Sequence, residues 1–138
     1  MTEIRKNIIS VITVCYNAKS NLEKTILSVL NQTYSNIEYI IIDGGSTDGT
    51  IDIIKRYDDK ITYWQSEPDN GIYDAMNKGI QKANGEWINF MNAGDLFAST
   101  MILQQMLDAI KPGVRILRGN IIRIYPKFCL LYTSPSPR

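Results

Sequence analysis

A chain of 138 residues is long enough to bury the core of one domain and too short for two. Its 15 Lys and Arg against 14 Asp and Glu leave a net charge of +1 with no basic run, which excludes a nucleic-acid binder built on a basic face. It has no histidine, so within these residues His-based catalysis and His-ligated zinc are excluded, and it has no apolar stretch of about 18 residues able to span a membrane as a helix.

The first residues, Met1 to Asn7, lead into a strand without the apolar core of a signal peptide, so a cytoplasmic location is expected. Residues 8–15 (IISVITVC) read as a buried strand rich in β-branched side chains. Ser20-Asn21-Leu22-Glu23 has the pattern of a capping box, and it opens a helix with Leu22, Ile26, Val29 and Leu30 on one face. Residues 37–43 form a second strand ending on Asp43. Asp48 is placed to cap a helix through about residue 57, with Ile51, Ile54 and Tyr57 inward. A third strand covers 61–66, and a helix over 71–84 carries Ile72, Ala75, Met76, Gly79, Ile80 and Ala83 in one stripe. A fourth strand (86–91) and a helix over 99–111, with Ile102, Met106 and Ile110 inward, precede strand-like residues at 114–125. This alternation predicts an α/β fold: a mainly parallel sheet with helices on both faces.

In such a sheet, ligands bind outside the carboxyl ends of the strands, so four loops hold the candidate chemistry. The first, Val14-Cys15-Tyr16-Asn17, lacks the glycine fingerprint of dinucleotide binding. Tyr16 there either stacks on a base or packs at the core edge, and Cys15 reads as a small buried apolar residue without a base to activate it. The second, Asp43-Gly44-Gly45-Ser46, either aims a carboxylate at the crevice or turns it onto the loop amides. Gly44 and Gly45 let the backbone approach what binds there. The third runs from Ser66 to Gly79: Asp69 caps the following helix, and Asp74, Asn77 and Lys78 stand in its first turns, either meeting a phosphate or forming a solvated face. The fourth, Asn92-Ala93-Gly94-Asp95, offers one carboxylate to a divalent cation such as Mg2+ or Mn2+.

The ordered blocks ISVITVCYN, IEYIIIDGGSTDGT, SEPDNGIYDAMNKGI and INFMNAGD, over nearly all of residues 7–97, resemble the family 2 glycosyltransferases of GT-A fold. The resemblance implies a nucleotide-binding half of an inverting enzyme, incomplete at its C-terminus. It would move a sugar from a nucleotide diphosphate-sugar to the hydroxyl of a glycan or lipid-linked acceptor, at the inner face of the membrane, in polysaccharide synthesis. It assigns Val14, Tyr16 and Asp43 to the nucleoside, with Gly44, Asp74, Lys78, Asn92 and Ala93 around the nucleotide-sugar and Asp95 on the metal. Asn92 and Gly94 fall where relatives often carry acids of a D-x-D element, so the metal rests on Asp95. Met76 stands where many relatives carry arginine. The general base is expected beyond residue 128, because after Asp95 only Asp108 is acidic.

Two other classes are weighed. The reduced D-x-D element fits a non-catalytic nucleotide-binding module. A sugar nucleotidyltransferase would need a glycine-rich basic loop after the first strand, which Tyr16-Asn17-Ala18-Lys19 does not supply. Residues 1–128 are thus expected to be part of a glycosyltransferase domain. The tail at 129–138 shifts composition and is similar to the translation of a sequencing-library adapter, so the natural gene is expected to continue past Phe128. Without that tail Cys15 is the sole cysteine, and 14 basic residues balance 14 acidic ones.

Overall fold

The computed structural model of the chain describes residues 5–113. Strand β1 (Arg5–Cys15) pairs in parallel with β2 (Ile37–Asp43) on one side and with β4 (Gly85–Phe90) on the other, and β3 (Tyr63–Ser66) extends the sheet beyond β2. The order β3-β2-β1-β4 reverses direction after β3, which is the doubly wound arrangement. Both faces of β1 and β2 are covered, which is why they read as unbroken apolar runs. On one face Ile9, Val11, Tyr39 and Ile41 pack against helices α1 (Leu22–Leu30), α2 (Thr50–Arg56) and α4 (Ile102–Asp108). On the other, Ile12, Val14, Ile40 and Ile42 meet Ala75 of helix α3 (Ile72–Lys82). The α/β architecture with helices on both faces is as expected.

Several local expectations change. The capping box at Ser20 does not form: the Leu22 N–H goes to the Ala18 carbonyl, while the Glu23 carboxylate accepts from the Tyr57 hydroxyl at 2.7 Å. Ile53, not Ile51, is the buried partner of Ile54 in α2, because the helix starts at Thr50 after a left-handed Gly49. Asp48 does serve that start, accepting from the Thr50 N–H at 3.0 Å. Along α3, Ala75 and Gly79 are buried whereas Ile80 is exposed. In α4 the buried side chain is Leu103, one position from the face expected. The strand at 114–125 and the tail at 129–138 lie outside the described residues.

At the amino end of the sheet, a buried network takes the place of apolar packing. Glu38 accepts from Ser10 Oγ at 2.7 Å and from the Asn84 backbone and side-chain N–H groups at 2.7 and 2.8 Å. The Gly85 N–H in turn reaches Ser10 Oγ, so the start of β4 is fixed to β1 and β2 through side chains as well as the ladder. No helix among the described residues is long and apolar enough to cross a membrane.

Candidate functional site

A cleft of about 640 Å³ opens at the carboxyl ends of β1 and β2 on the α3 side of the sheet. The end of β1 contributes Val14, Cys15 and Tyr16, and the loop after β2 contributes Gly44 and Gly45. The segment before α3 contributes Pro68, Asp69 and Gly71, with Ile72 and Ala75 on α3 itself. Three of the four candidate loops therefore converge. Tyr16 stands at the mouth with 63% of its surface exposed, a planar ring free to stack on a ligand.

Glycines permit this convergence. Gly45 and Gly71 have φ of +88° and +110°, in the region where a Cβ is disfavoured. A Cβ on Gly44 would lie 2.9 Å from Asp69 Oδ2, so the absence of a side chain at 44 lets the Asp69 carboxylate rest over the loop. The first and second loops are also laced together. The Asn17 N–H donates to Ser46 Oγ at 2.7 Å, and the Thr47 N–H donates to Asn17 Oδ1 at 2.8 Å. The Ala18 N–H reaches Thr50 Oγ1 at 2.9 Å. Asn17 adopts a left-handed backbone (φ 48°) to do so, a role that its place in the sequence did not reveal.

Asp43 does not face the cleft. Its surface is fully buried. Oδ2 accepts from the N–H groups of Gly45 and Ser46 and from Ser66 Oγ, at 3.1, 2.8 and 2.7 Å. Oδ1 accepts from Ser46 Oγ and, at 3.3 Å, from the Cys15 thiol. The hydrogen bond from the nucleoside expected at Asp43 is not among these contacts: the loop takes its lone pairs, and it shapes the cleft floor from beneath. Cys15 is buried as expected, and burial, reinforced by the neighbouring Asp43 charge, pushes its thiol far above the ordinary range. It stays a thiol.

Asp74 and Lys78 do not line the cleft either. The Lys78 ammonium lies 3.0 Å from Glu67 and 3.5 Å from Asp74, so two carboxylates already answer its charge. The hydrogen bond to Glu67 raises the Lys78 pKa, and the Asn70 N–H, with help from Lys78, lowers that of Asp74. Together they form a clamp across the segment from Glu67 to Lys78, which carries Pro68 and Asp69 at the cleft edge.

The fourth loop extends β4 beside β1, where the Ala93 N–H donates to the Val14 carbonyl at 3.1 Å. Thr25 of α1 holds it: Thr25 Oγ1 donates to the Asp95 carbonyl and accepts from the Gly94 N–H, at 2.9 and 2.8 Å. Asn92, Ala93 and Asp95 lie outside the cleft lining. Asp95 is exposed, and Asn92 Oδ1 is buried without a hydrogen-bond partner among the described residues. No group of three His, Cys, Asp or Glu side chains gathers there to form a complete metal cage.

Comparison with known proteins gives this geometry a context. The chain is 41% identical over 103 residues to an uncharacterized glycosyltransferase of Mycobacterium tuberculosis, covering 74% of this chain and 39% of the relative. It is 37% identical over 100 residues to WfaP of Escherichia coli, described as a UDP-Glc:alpha-D-GlcNAc-diphosphoundecaprenol beta-1,3-glucosyltransferase, covering 72% of this chain and 40% of WfaP. The chain thus spans about two fifths of the length of these curated relatives. Among solved structures, the mannosyltransferase PcManGT of Pyrobaculum calidifontis in complex with GDP-Man and Mn2+ superposes with a TM-score of 0.71 at 24% identity, over 77% of this chain and 33% of that one. At that identity the likeness speaks to the GT-A fold. Residues 10–130 match the family model described as Glycosyl transferase family 2, and the chain belongs to that family.

Proposed function

We propose that residues 5–113 form the donor-binding half of an inverting glycosyltransferase that moves a sugar from a nucleotide diphosphate-sugar to an acceptor hydroxyl. The observation that carries this reading is the cleft at the carboxyl ends of β1 and β2, open over two glycines and flanked by Tyr16, in a chain of this family. The nucleoside lies against Val14 and Tyr16, where the flat apolar walls exclude water from its faces. Its diphosphate extends toward Asn92, Ala93 and Asp95. A divalent cation fits this donor set, because Mg2+ and Mn2+ commonly take one or two carboxylates and complete their shells with phosphate oxygens and water. Asp95 is the residue that would hold the cation, which offsets the charge of the departing diphosphate.

Inversion requires a base within hydrogen-bond reach of the acceptor hydroxyl. Asp108, the one acid after Asp95, accepts from Gln104 on the exposed side of α4, away from the cleft. The name of WfaP supports a lipid-linked glycan as acceptor.

The test is calorimetric titration of the chain with UDP-, GDP- and dTDP-sugars in the presence of Mn2+. One of them is expected to bind saturably, and Asp95→Asn or chelation of the metal is expected to weaken binding about tenfold, the scale of one lost charge-assisted contact. Absence of saturable binding for all three would overturn the reading.

A further inference from the structure

Asp69 is an unassigned carboxylate inside the cleft, and its surroundings point to a task. Oδ1 accepts from the Gly71 N–H at 3.0 Å and so fixes the side chain at the entry to α3. Oδ2 accepts no hydrogen bond among the described residues, and it lies 2.9 Å from where a Cβ on Gly44 would stand. A second tether comes from the chain on either side, since Glu67 and Asp74 are both bound to Lys78. The acceptor is thus held in place rather than waving from a loop.

The walls around it are Val14, Tyr16, Pro68, Ile72 and Ala75, which are apolar or aromatic. A ribose, with hydroxyls on several sides, would leave polar groups unpaired against such walls. A nucleobase suits them: its faces stack, and only its edge asks for hydrogen bonds. Because Asp43 is fully occupied beneath the loop, Asp69 is the carboxylate in the lining that is left to meet that edge.

We propose that Asp69 Oδ2 reads the donor's base by accepting the ring N–H of a lactam or imide, and so selects uracil, thymine or guanine over adenine. Adenine presents no ring N–H on its pairing edge, so its ring nitrogen would face the carboxylate lone pair to lone pair. This selection rests on the cleft being the nucleotide site, and the two ideas fail differently. Gly44 belongs to the same device: any side chain there would push the Asp69 carboxylate aside.

The experiment measures calorimetric affinities of the chain for UDP, GDP, ADP and the ring-N-methylated forms of UDP and GDP. Either UDP or GDP is expected to bind ten- to a hundredfold more tightly than its methylated form and than ADP, the worth of one hydrogen bond to a charged acceptor. In Asp69→Ala, and in Gly44→Ala, which keeps the carboxylate but displaces it, that preference should vanish. Equal binding of methylated and unmethylated nucleotide by the unaltered chain would overturn the proposal without recourse to any variant. Preference that survives Asp69→Ala would overturn it too, with the cleft still a nucleotide site. If no nucleotide binds, the proposal falls together with the reading beneath it.

Discussion

Five hydrogen bonds converge on the buried carboxylate of Asp43, from two backbone N–H groups, two serine hydroxyls and a thiol. Removing it strands those donors around a position that is itself fully buried. Asp43→Ala is therefore expected to lower stability by about 3 kcal/mol, measured as a fall in the urea midpoint. An unchanged midpoint would show that the loop does not depend on it. Cys15 shares the network, and with its thiol held protonated by burial it should resist a thiol reagent at about pH 8 until denaturant is added. A Cys129→Ser background isolates the signal, and rapid labelling of the native chain would refute the burial argument. The sequence made Asp43 visible but not its direction. Asp-Gly-Gly-Ser is the same pattern whether the carboxylate meets a ligand or its own loop, and what decides is Ser66 and Cys15, distant in sequence. Asp69 was legible as a helix cap; its position over Gly44 is a tertiary contact that no local pattern encodes.

Among the elements, α3 packs closest to the sheet at Gly79. A Cβ there would come within 2.5 Å of Ile12 Cγ2, at the centre of β1. Gly79→Ala should cost about 1–3 kcal/mol by overpacking. In a double-mutant cycle Ile12→Ala, which removes the clashing methyl, should make the pair less damaging than the sum of the single changes. Strict additivity would contradict the close approach. The clamp ahead of α3 has a pH signature. Because the Asn70 N–H and Lys78 lower the Asp74 pKa, its contribution is complete above the ordinary carboxylate range and is lost as pH falls through the lowered value. The stability difference between the chain and Asp74→Asn should thus be present at neutral pH and fade in acid; a difference independent of pH would refute it. Periodicity located β1, β2 and α1 because each is long or buried enough to imprint a pattern. It centred the buried face of α4 on Ile102 and Met106, one edge of an apolar arc that Leu103 and Leu107 complete, and the structure buries Leu103.

At the scale of the whole molecule, the order β3-β2-β1-β4 brings the ends of β1 and β2 and the start of α3 around one cleft. The parallel sheet with helices on both faces followed from the alternation of elements, whereas the strand order is set by pairing between distant segments. The cleft lining did not, because loops equally rich in Asp, Asn and Gly line it, clamp it or lie beside it according to contacts between distant residues. Amide-resolved NMR of the chain titrated with UDP and GDP in the presence of Mg2+ tests the central claim most directly. Shifts are expected to concentrate at Tyr16, Gly44, Gly45, Gly71 and Ile72 and to spare α4. Shifts centred on α4, or none at saturating nucleotide, would contradict a donor site in this cleft.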